Sequence, residues 1–185
     1  MHTVGQRILV WGNSCSGKST LTKQLGQQLG YPVVELDALN WLPNWVGLNA
    51  TDPEELKRRM REATAGDQWI ADGSYTNESR QAFWPRLDTV IWLDLPRTLL
   101  LKRCWVRSWR RWRDQELLWG TNRESFFTHL QVWRGEESLF WWIYTQHHRK
   151  RADAEKFLTD GTWRDVELIR LTSEQEVADF RNSLD

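Results

Sequence analysis

Only two of the 185 residues are cysteine, Cys15 and Cys104, and they lie far apart. Such sparse usage suits a reducing compartment and excludes a disulfide-stapled scaffold. No apolar run approaches the roughly 18 residues of a membrane span. The first residues also lack a basic segment followed by an apolar core, so neither a span nor a signal peptide is expected, and the cytoplasm is the expected location. Net charge is missing too, since 25 acidic residues balance 25 basic ones. No global field therefore draws the chain onto nucleic acid or a membrane, and any electrostatic function must be local. Five prolines and eleven glycines, with no repeat or low-complexity tract, exclude collagen-like and disordered classes. What is present is a chain a little longer than the ~150-residue domain prior, 40% apolar, which predicts a single domain over 1–185. Fourteen tryptophans stand out, and composition alone assigns them no role.

Hydrophobic periodicity divides the chain into alternating elements. Arg7 to Trp11 is a short apolar run ending at a glycine, as in a strand buried on both faces. Leu21, Leu25 and Leu29, four residues apart, predict a helix over Lys18–Leu29 closed by Gly30. Further strands are expected at Pro32–Leu36, Gln68–Ala71, Thr89–Leu93 and Val166–Leu171, with a loop from Asp37 to Thr51. Helices are expected from Asp52, with Glu55 completing a capping box, to about Ala65; from Pro96 to Trp112; from Ser138 to about Leu158; and after Ser173, with Glu176 completing its box. The connector between the second and third of these is expected to run to about Glu137. Strands alternating with helices predict an α/β fold, a five-stranded parallel sheet with helices on both faces.

Between the first strand and the first helix stand Gly12, Asn13, Ser14, Cys15, Ser16, Gly17, Lys18, Ser19 and Thr20. They fit G-x-x-x-x-G-K-[ST] in the strand–turn–helix context that this phosphate-binding loop requires. The glycines let the backbone wrap an anion, so that successive N–H groups and the positive helix end face phosphate. Lys18 then neutralises the β- and γ-phosphate oxygens of ATP, and the Ser19 hydroxyl ligates Mg²⁺. Cys15 is read either as a small residue that fits the loop or as a redox-sensitive thiol whose pKa the helix end lowers.

With that loop in place the chain resembles the nucleoside monophosphate kinase branch of P-loop proteins. It is most similar there to the bacterial adenylate kinase-like "topology modulation" family, over Arg7 to Leu184. Trp69-Ile70-Ala71-Asp72-Gly73 resembles the strand end whose aspartate, here Asp72, helps hold Mg²⁺ through water. Asp88 to Pro96 looks like the following strand and its exit. Arg103 and Arg107 match the two arginines at the base of that family's lid, which implies contacts with adenine and phosphate respectively. The resembled topology places adenine near the turn from Leu171 to Gln175, including Thr172 and Ser173. Two departures concern the acceptor: Thr76 stands where adenylate kinases carry an arginine that grips AMP, and the second strand ends in Glu35-Leu36-Asp37. In shikimate-kinase-like relatives an aspartate at the place of Asp37 orients the acceptor hydroxyl.

Asp37 and Asp72 are both expected at carboxyl ends of strands, where open α/β sheets place ligands, and each could serve the metal or the acceptor. The helix over 97–113 gathers seven basic residues without an acid, Arg103, Arg107 and Arg110 lying opposite a stripe of Leu101, Trp105, Trp109 and Trp112. This predicts an arginine face aimed at phosphate and tryptophans packed inward. Residues 103–151 are expected to form a lid arm with its tip at Gly120, where Arg123 is read either as reaching inward on closure or as an exposed turn. The resembled topology implies Arg149 or Arg151 as the returning phosphate contact, the alternative being a basic helix end favourable to the dipole. Trp41 and Trp45 are read either as an acceptor-pocket wall or as core, and Asp94 either as functional or as structural. Together these expectations describe a P-loop phosphotransferase moving the γ-phosphate of ATP to a small-molecule acceptor, monomeric or weakly dimeric, without membrane or nucleic-acid partners. The alternative is an ATP-binding regulator contacting nucleic acid through helix 97–113.

Overall fold

The computed structural model describes residues 4–131, 133, 135 and 138–184. The expected connector boundary at Glu137 lies outside the described residues. Strand β1, Arg7–Gly12, alternates its side chains between two apolar layers. Ile8 and Val10 join Leu21, Leu25 and Phe180 on one face of the sheet; Leu9 and Trp11 join Leu56, Met60 and Phe157 on the other. A central strand whose two faces are both buried is why its sequence reads as a continuous apolar run. Four more strands follow, β2 Val33–Glu35, β3 Trp69–Asp72, β4 Thr89–Leu93 and β5 Glu167–Leu171. The sheet has the order β2-β3-β1-β4-β5 and every pair is parallel. Gly12, Asp72, Leu93 and Leu171 therefore reach one edge together, Gly12 in register with Leu93 and Leu93 with Leu171.

Five longer helices cover the sheet: α1 Lys18–Leu29, α2 Pro53–Ala63, α3 Arg97–Arg113, α4 Leu139–Thr159 and α5 Glu174–Asn182. Gly30 ends α1 in the left-handed region, φ 71°, which glycine enters without steric cost. Asp52 caps α2 by accepting from the Glu55 amide at 3.1 Å, but the reciprocal half of the expected box is absent because the Glu55 carboxylate binds Arg58 and Arg59. Ser173 caps α5 by accepting from the Glu176 amide at 3.1 Å. The Glu176 carboxylate accepts in turn from the Thr172 amide at 2.7 Å.

Residues 37–51 are not a loop. A short helix, Leu36–Asn40, a two-stranded hairpin pairing Trp41–Leu42 with Val46–Gly47, and a helical turn at Leu48–Thr51 occupy them. Strands of two residues carry no detectable periodicity, so the sequence pattern is silent there. A helix over Thr76–Ala82 also went unsignalled. Between α3 and α4 a second hairpin pairs Leu117–Leu118 with Asn122–Arg123. Its turn holds Trp119 and Gly120 at positive φ, at the position expected for the tip of the arm.

The helical phase of α3 and the approach of Arg103 to the phosphate loop are as expected, but the tryptophan stripe does not pack inward. Trp105 and Trp109 are 50% and 43% exposed, while Leu100, Cys104 and Ser108 are buried. The arginine side of α3 turns toward the loop after β1, so the tryptophans face outward and pack on Phe126, with ring centroids at 5.1 and 5.2 Å.

Candidate active site

The loop between β1 and α1 is shaped by close approach. A Cβ on Gly12 would lie 2.7 Å from the Leu93 carbonyl oxygen, so only glycine fits there. Gly17 adopts φ 97° at the N-cap of α1. The Asn13 side chain anchors the loop from behind, donating to the Ile143 carbonyl on α4 at 3.0 Å and accepting from the Ser14 amide at 2.8 Å. Lys18 Nζ rests on the Asn13 carbonyl at 2.9 Å, and burial pulls its pKa below the ordinary value while Asp37 and Asp72 oppose that. Thr20 is exposed on the first turn of α1.

Around this loop the sheet edge delivers the expected carboxylates. Asp72 at the end of β3 is buried; burial pushes its pKa up to about 6, against the pull of the nearby Ser19 hydroxyl and Lys18. A buried carboxylate beside a hydroxyl and a lysine is a donor set of hard oxygens suited to Mg²⁺. Asp37, on the helix that follows β2, accepts from the Tyr75 hydroxyl at 2.7 Å. Burial and the Asp37 charge together push the Tyr75 phenol far up, so Tyr75 stays a proton donor to this carboxylate.

The arginines approach from the opposite side. Arg103 Nη1 donates to the Ser16 carbonyl at 2.9 Å and Nη2 to Glu174 at 2.6 Å. It thereby joins the phosphate loop to the turn holding Thr172 and Ser173. Arg107 Nε is fully buried without a hydrogen-bond partner, although Cys15, Glu124 and Asp37 all act on the guanidinium through space. Asp37, Asp72 and Arg107 all lie within electrostatic reach of Lys18. A half-buried guanidinium whose Nε has no hydrogen-bond partner among the described residues, near a lysine and a glycine loop, has the makings of an anion site.

This sheet order, with a glycine loop leading into α1 and a β3 aspartate near its serine, decides the fold. The chain has the α/β P-loop NTPase fold. Solved structures with the P-loop fold align along nearly all of it. A shikimate kinase from Bacteroides thetaiotaomicron is 15% identical, with 97% of this chain and 96% of that chain covered and a TM-score of 0.55. A gluconokinase from Sinorhizobium meliloti 1021 is 18% identical, with coverage of 99% and 91% and a TM-score of 0.53. A shikimate kinase from Acinetobacter baumannii in complex with shikimate is 17% identical, with coverage of 97% and 90% and a TM-score of 0.50. No protein-family model and no curated protein matches the sequence.

Several expected residues stand elsewhere in this P-loop fold. Arg123 is exposed, its guanidinium 3.5 Å from Gln115 Oε1, and the structure does not bring it to the phosphate loop. Arg149 is exposed, and Arg151 donates to Asp94 at 2.7 Å. Asp94 also accepts from Arg170 Nε at 3.0 Å, so its role is structural. Of the basic run at 149–151, the side chain that α4 buries is Lys150. Its ammonium lies 4.9 Å from the Trp11 ring centroid, and burial, helped by the Lys18 charge, pulls its pKa down to about 7. Sequence reading missed Lys150, Tyr75 and Asn122. Asn122 Oδ1 accepts from the Trp45 amide at 2.8 Å and its Nδ2 donates to the Leu42 carbonyl at 3.0 Å, clasping the arm's hairpin onto the hairpin at 41–47. Trp45 packs between Trp41 and Trp119, with centroids at 5.4 and 5.9 Å; Trp45 is exposed and Trp41 half-buried, so the core reading does not hold for this pair.

Proposed function

We propose that the chain is an ATP-dependent phosphotransferase that moves the γ-phosphate of ATP to a hydroxyl of a small acceptor. The observation that carries this reading is that Asp37, Asp72 and Arg107 all lie within electrostatic reach of the P-loop residue Lys18. A carboxylate held by Tyr75, as Asp37 is, can orient the hydroxyl that attacks the transferring phosphate. Solved P-loop structures that are gluconokinase and shikimate kinases support a hydroxylated small molecule as the acceptor class. An adenylate kinase-like acceptor is less well supported, because Thr76 begins a helix where that family has its AMP arginine.

In this mechanism the loop amides and Lys18 bind the β- and γ-phosphates, and Ser19 with Asp72 would hold Mg²⁺, which when bound offsets phosphate charge. Asp37 accepts the hydrogen bond of the acceptor hydroxyl and orients it, Tyr75 fixing the carboxylate. Phosphoryl transfer needs positioning and charge neutralisation more than covalent chemistry. Arg107 supplies a fixed positive charge for the oxygens of the group in flight. Arg103 and the turn at Thr172–Ser173 offer the platform for adenine. The arm over 103–151, clasped to the 41–47 hairpin by Asn122, excludes water from the γ-phosphate. Acceptor-dependent ADP release, screened over sugar acids, cyclic hydroxy acids, nucleosides and nucleoside monophosphates, tests the reading. Asp37→Asn should lower the acceptor-dependent rate while sparing ATP affinity, and equal ADP release with every compound and with none would contradict it.

A second reading, an ATP-binding regulator that contacts nucleic acid, draws on the exposure of Trp105 and Trp109 beside the basic residues of α3. Stacking platforms flanked by cations suit single strands. Single-strand affinity that falls steeply with salt and vanishes in Trp105→Ala would favour it.

A further inference from the structure

Cys15 and Cys104 are distant in sequence yet meet in the fold. Cys15 lies in the phosphate loop with φ 62°, and Cys104 lies on α3 one turn before Ser108, whose Oγ is 4.0 Å from its sulfur. Both thiols are free and buried. They share one apolar cluster with Leu95, Leu100 and Ile143, and each is the neighbour that most perturbs the other's thiol. The pair is asymmetric: Cys15 keeps 9% of its surface exposed and Cys104 none, so a small oxidant meets Cys15 first. Cys104, with Arg107 and Lys18 nearby, pulls the Cys15 thiol down to about 7 against burial, and Cys15 in turn pushes Cys104 up. The first sulfur is thereby the nucleophile and the second its resolving partner.

We propose that Cys15 and Cys104 form a reversible intramolecular disulfide in response to hydroperoxides, and that this bond closes the phosphate loop to nucleotide. The Cys15 thiolate attacks one peroxide oxygen; an S–O bond forms, the O–O bond breaks, and the departing hydroxide takes up a proton as water. The Cys104 sulfur then attacks Cys15 Sγ. An S–S bond forms, the S–O bond breaks, and hydroxide leaves with the Cys104 proton as a second water. Two thiols are oxidised and one peroxide is reduced to two waters; a dithiol reverses the change. An S–S bond of about 2 Å is much shorter than the contact of two free thiols, so the loop is drawn onto α3. Its amides leave their cradle and Arg107, one turn further along α3, is fixed in place. The loss of nucleotide binding rests on the phosphotransferase reading; formation of the disulfide does not.

The test uses the full chain. Reduced protein is treated with equimolar hydrogen peroxide and mapped by non-reducing peptide mass spectrometry, and binding of a fluorescent ATP analogue is measured before oxidation, after it, and after dithiothreitol. The expected result is a Cys15–Cys104 cross-linked peptide, at least a tenfold weakening of nucleotide affinity, and recovery on reduction. Cys104→Ser, with Cys104→Ala as a second variant should the first not fold, binds nucleotide like the wild type when reduced. With peroxide it shows no dithiol-reversible internal cross-link. Intermolecular disulfides only, independent oxidation of each thiol, or a cross-linked protein that binds nucleotide unchanged would each overturn the proposal. Should the reduced wild type fail to bind the analogue, the nucleotide-site reading falls, and the peptide map still decides whether the disulfide forms.

Discussion

Replacing Arg107 with methionine separates a functional charge from a structural one by the sign of two effects. Arg107 Nε is buried with no hydrogen-bond partner, and an unsatisfied buried polar group costs roughly 1 to 3 kcal/mol. Methionine keeps the length of the alkyl stem and removes that cost. Glu124 retains Ser108 Oγ at 2.6 Å and Arg111 at 2.9 Å, so the substitution strands no partner charge. Arg107→Met should therefore leave the ligand-free protein as stable as the wild type or more so, by up to about 2 kcal/mol, or several degrees in Tm for a chain of this length. Turnover should fall by roughly 10² to 10³, equivalent to about 2.7 to 4 kcal/mol, the effect of deleting one preorganised transition-state donor. Differential scanning calorimetry on ligand-free protein and acceptor-dependent ADP release measure the two quantities. A variant that melts lower and turns over like the wild type would show that Arg107 serves the fold, and the argument from its missing partners would be refuted.

Lys150→Met should raise stability at pH 7. A lysine held at about 7 in the fold against an ordinary 10.5 binds fewer protons folded than unfolded across that window, so wild-type stability should climb by roughly 1.4 kcal/mol per pH unit from about 7 upward. Urea titrations from pH 6.5 to 9 would show that climb in the wild type and its loss in the variant, and parallel curves would show that Lys150 is not held neutral. Asp94→Ala leaves Arg151 and Arg170 without their carboxylate. Both arginines are about half exposed, so the expected loss is about 2 kcal/mol, with the KM for ATP unchanged in the fraction that folds; a changed KM at full stability would return Asp94 to the site. Asn122→Ala removes the clasp to Trp45 and Leu42 and should speed amide exchange in the 41–47 hairpin while raising the acceptor KM more than the ATP KM. Unchanged exchange there would mean that the hairpin holds its shape alone.

The elements that were legible in the sequence are those whose pattern is local. Gly12 to Thr20 identifies itself by spacing, α1 by Leu21, Leu25 and Leu29, and α5 by Ser173, because each signal lies within one turn or one strand. The carboxylates at Asp37 and Asp72 were found from strand ends, which parallel sheets bring to one edge. What depended on docking was not legible. Helical phase placed Trp105 and Trp109 opposite the arginines of α3 and the arginines toward phosphate, but that the tryptophan side stays exposed against Phe126 depends on the arm beyond α3, which is distant in sequence. The same holds for α4, where Arg149, Lys150 and Arg151 are chemically alike and only packing on Trp11 selects Lys150. The clasp from Asn122 to the 41–47 hairpin joins two elements of two residues per strand, too short for any period to reveal.

The central claim is that Lys18, Asp37 and Arg107 act on one transferring phosphate, and transfer of labelled γ-phosphate from ATP to an acceptor measures this most directly. Wild type, Lys18→Ala and Asp37→Asn would be compared in single turnovers, with matched circular dichroism spectra confirming the fold of each. The account predicts labelled acceptor with the wild type, none above background with Lys18→Ala, and strongly slowed transfer with retained ATP binding in Asp37→Asn. Transfer at the wild-type rate in either variant, or label appearing only as free phosphate with every acceptor tried, would contradict it.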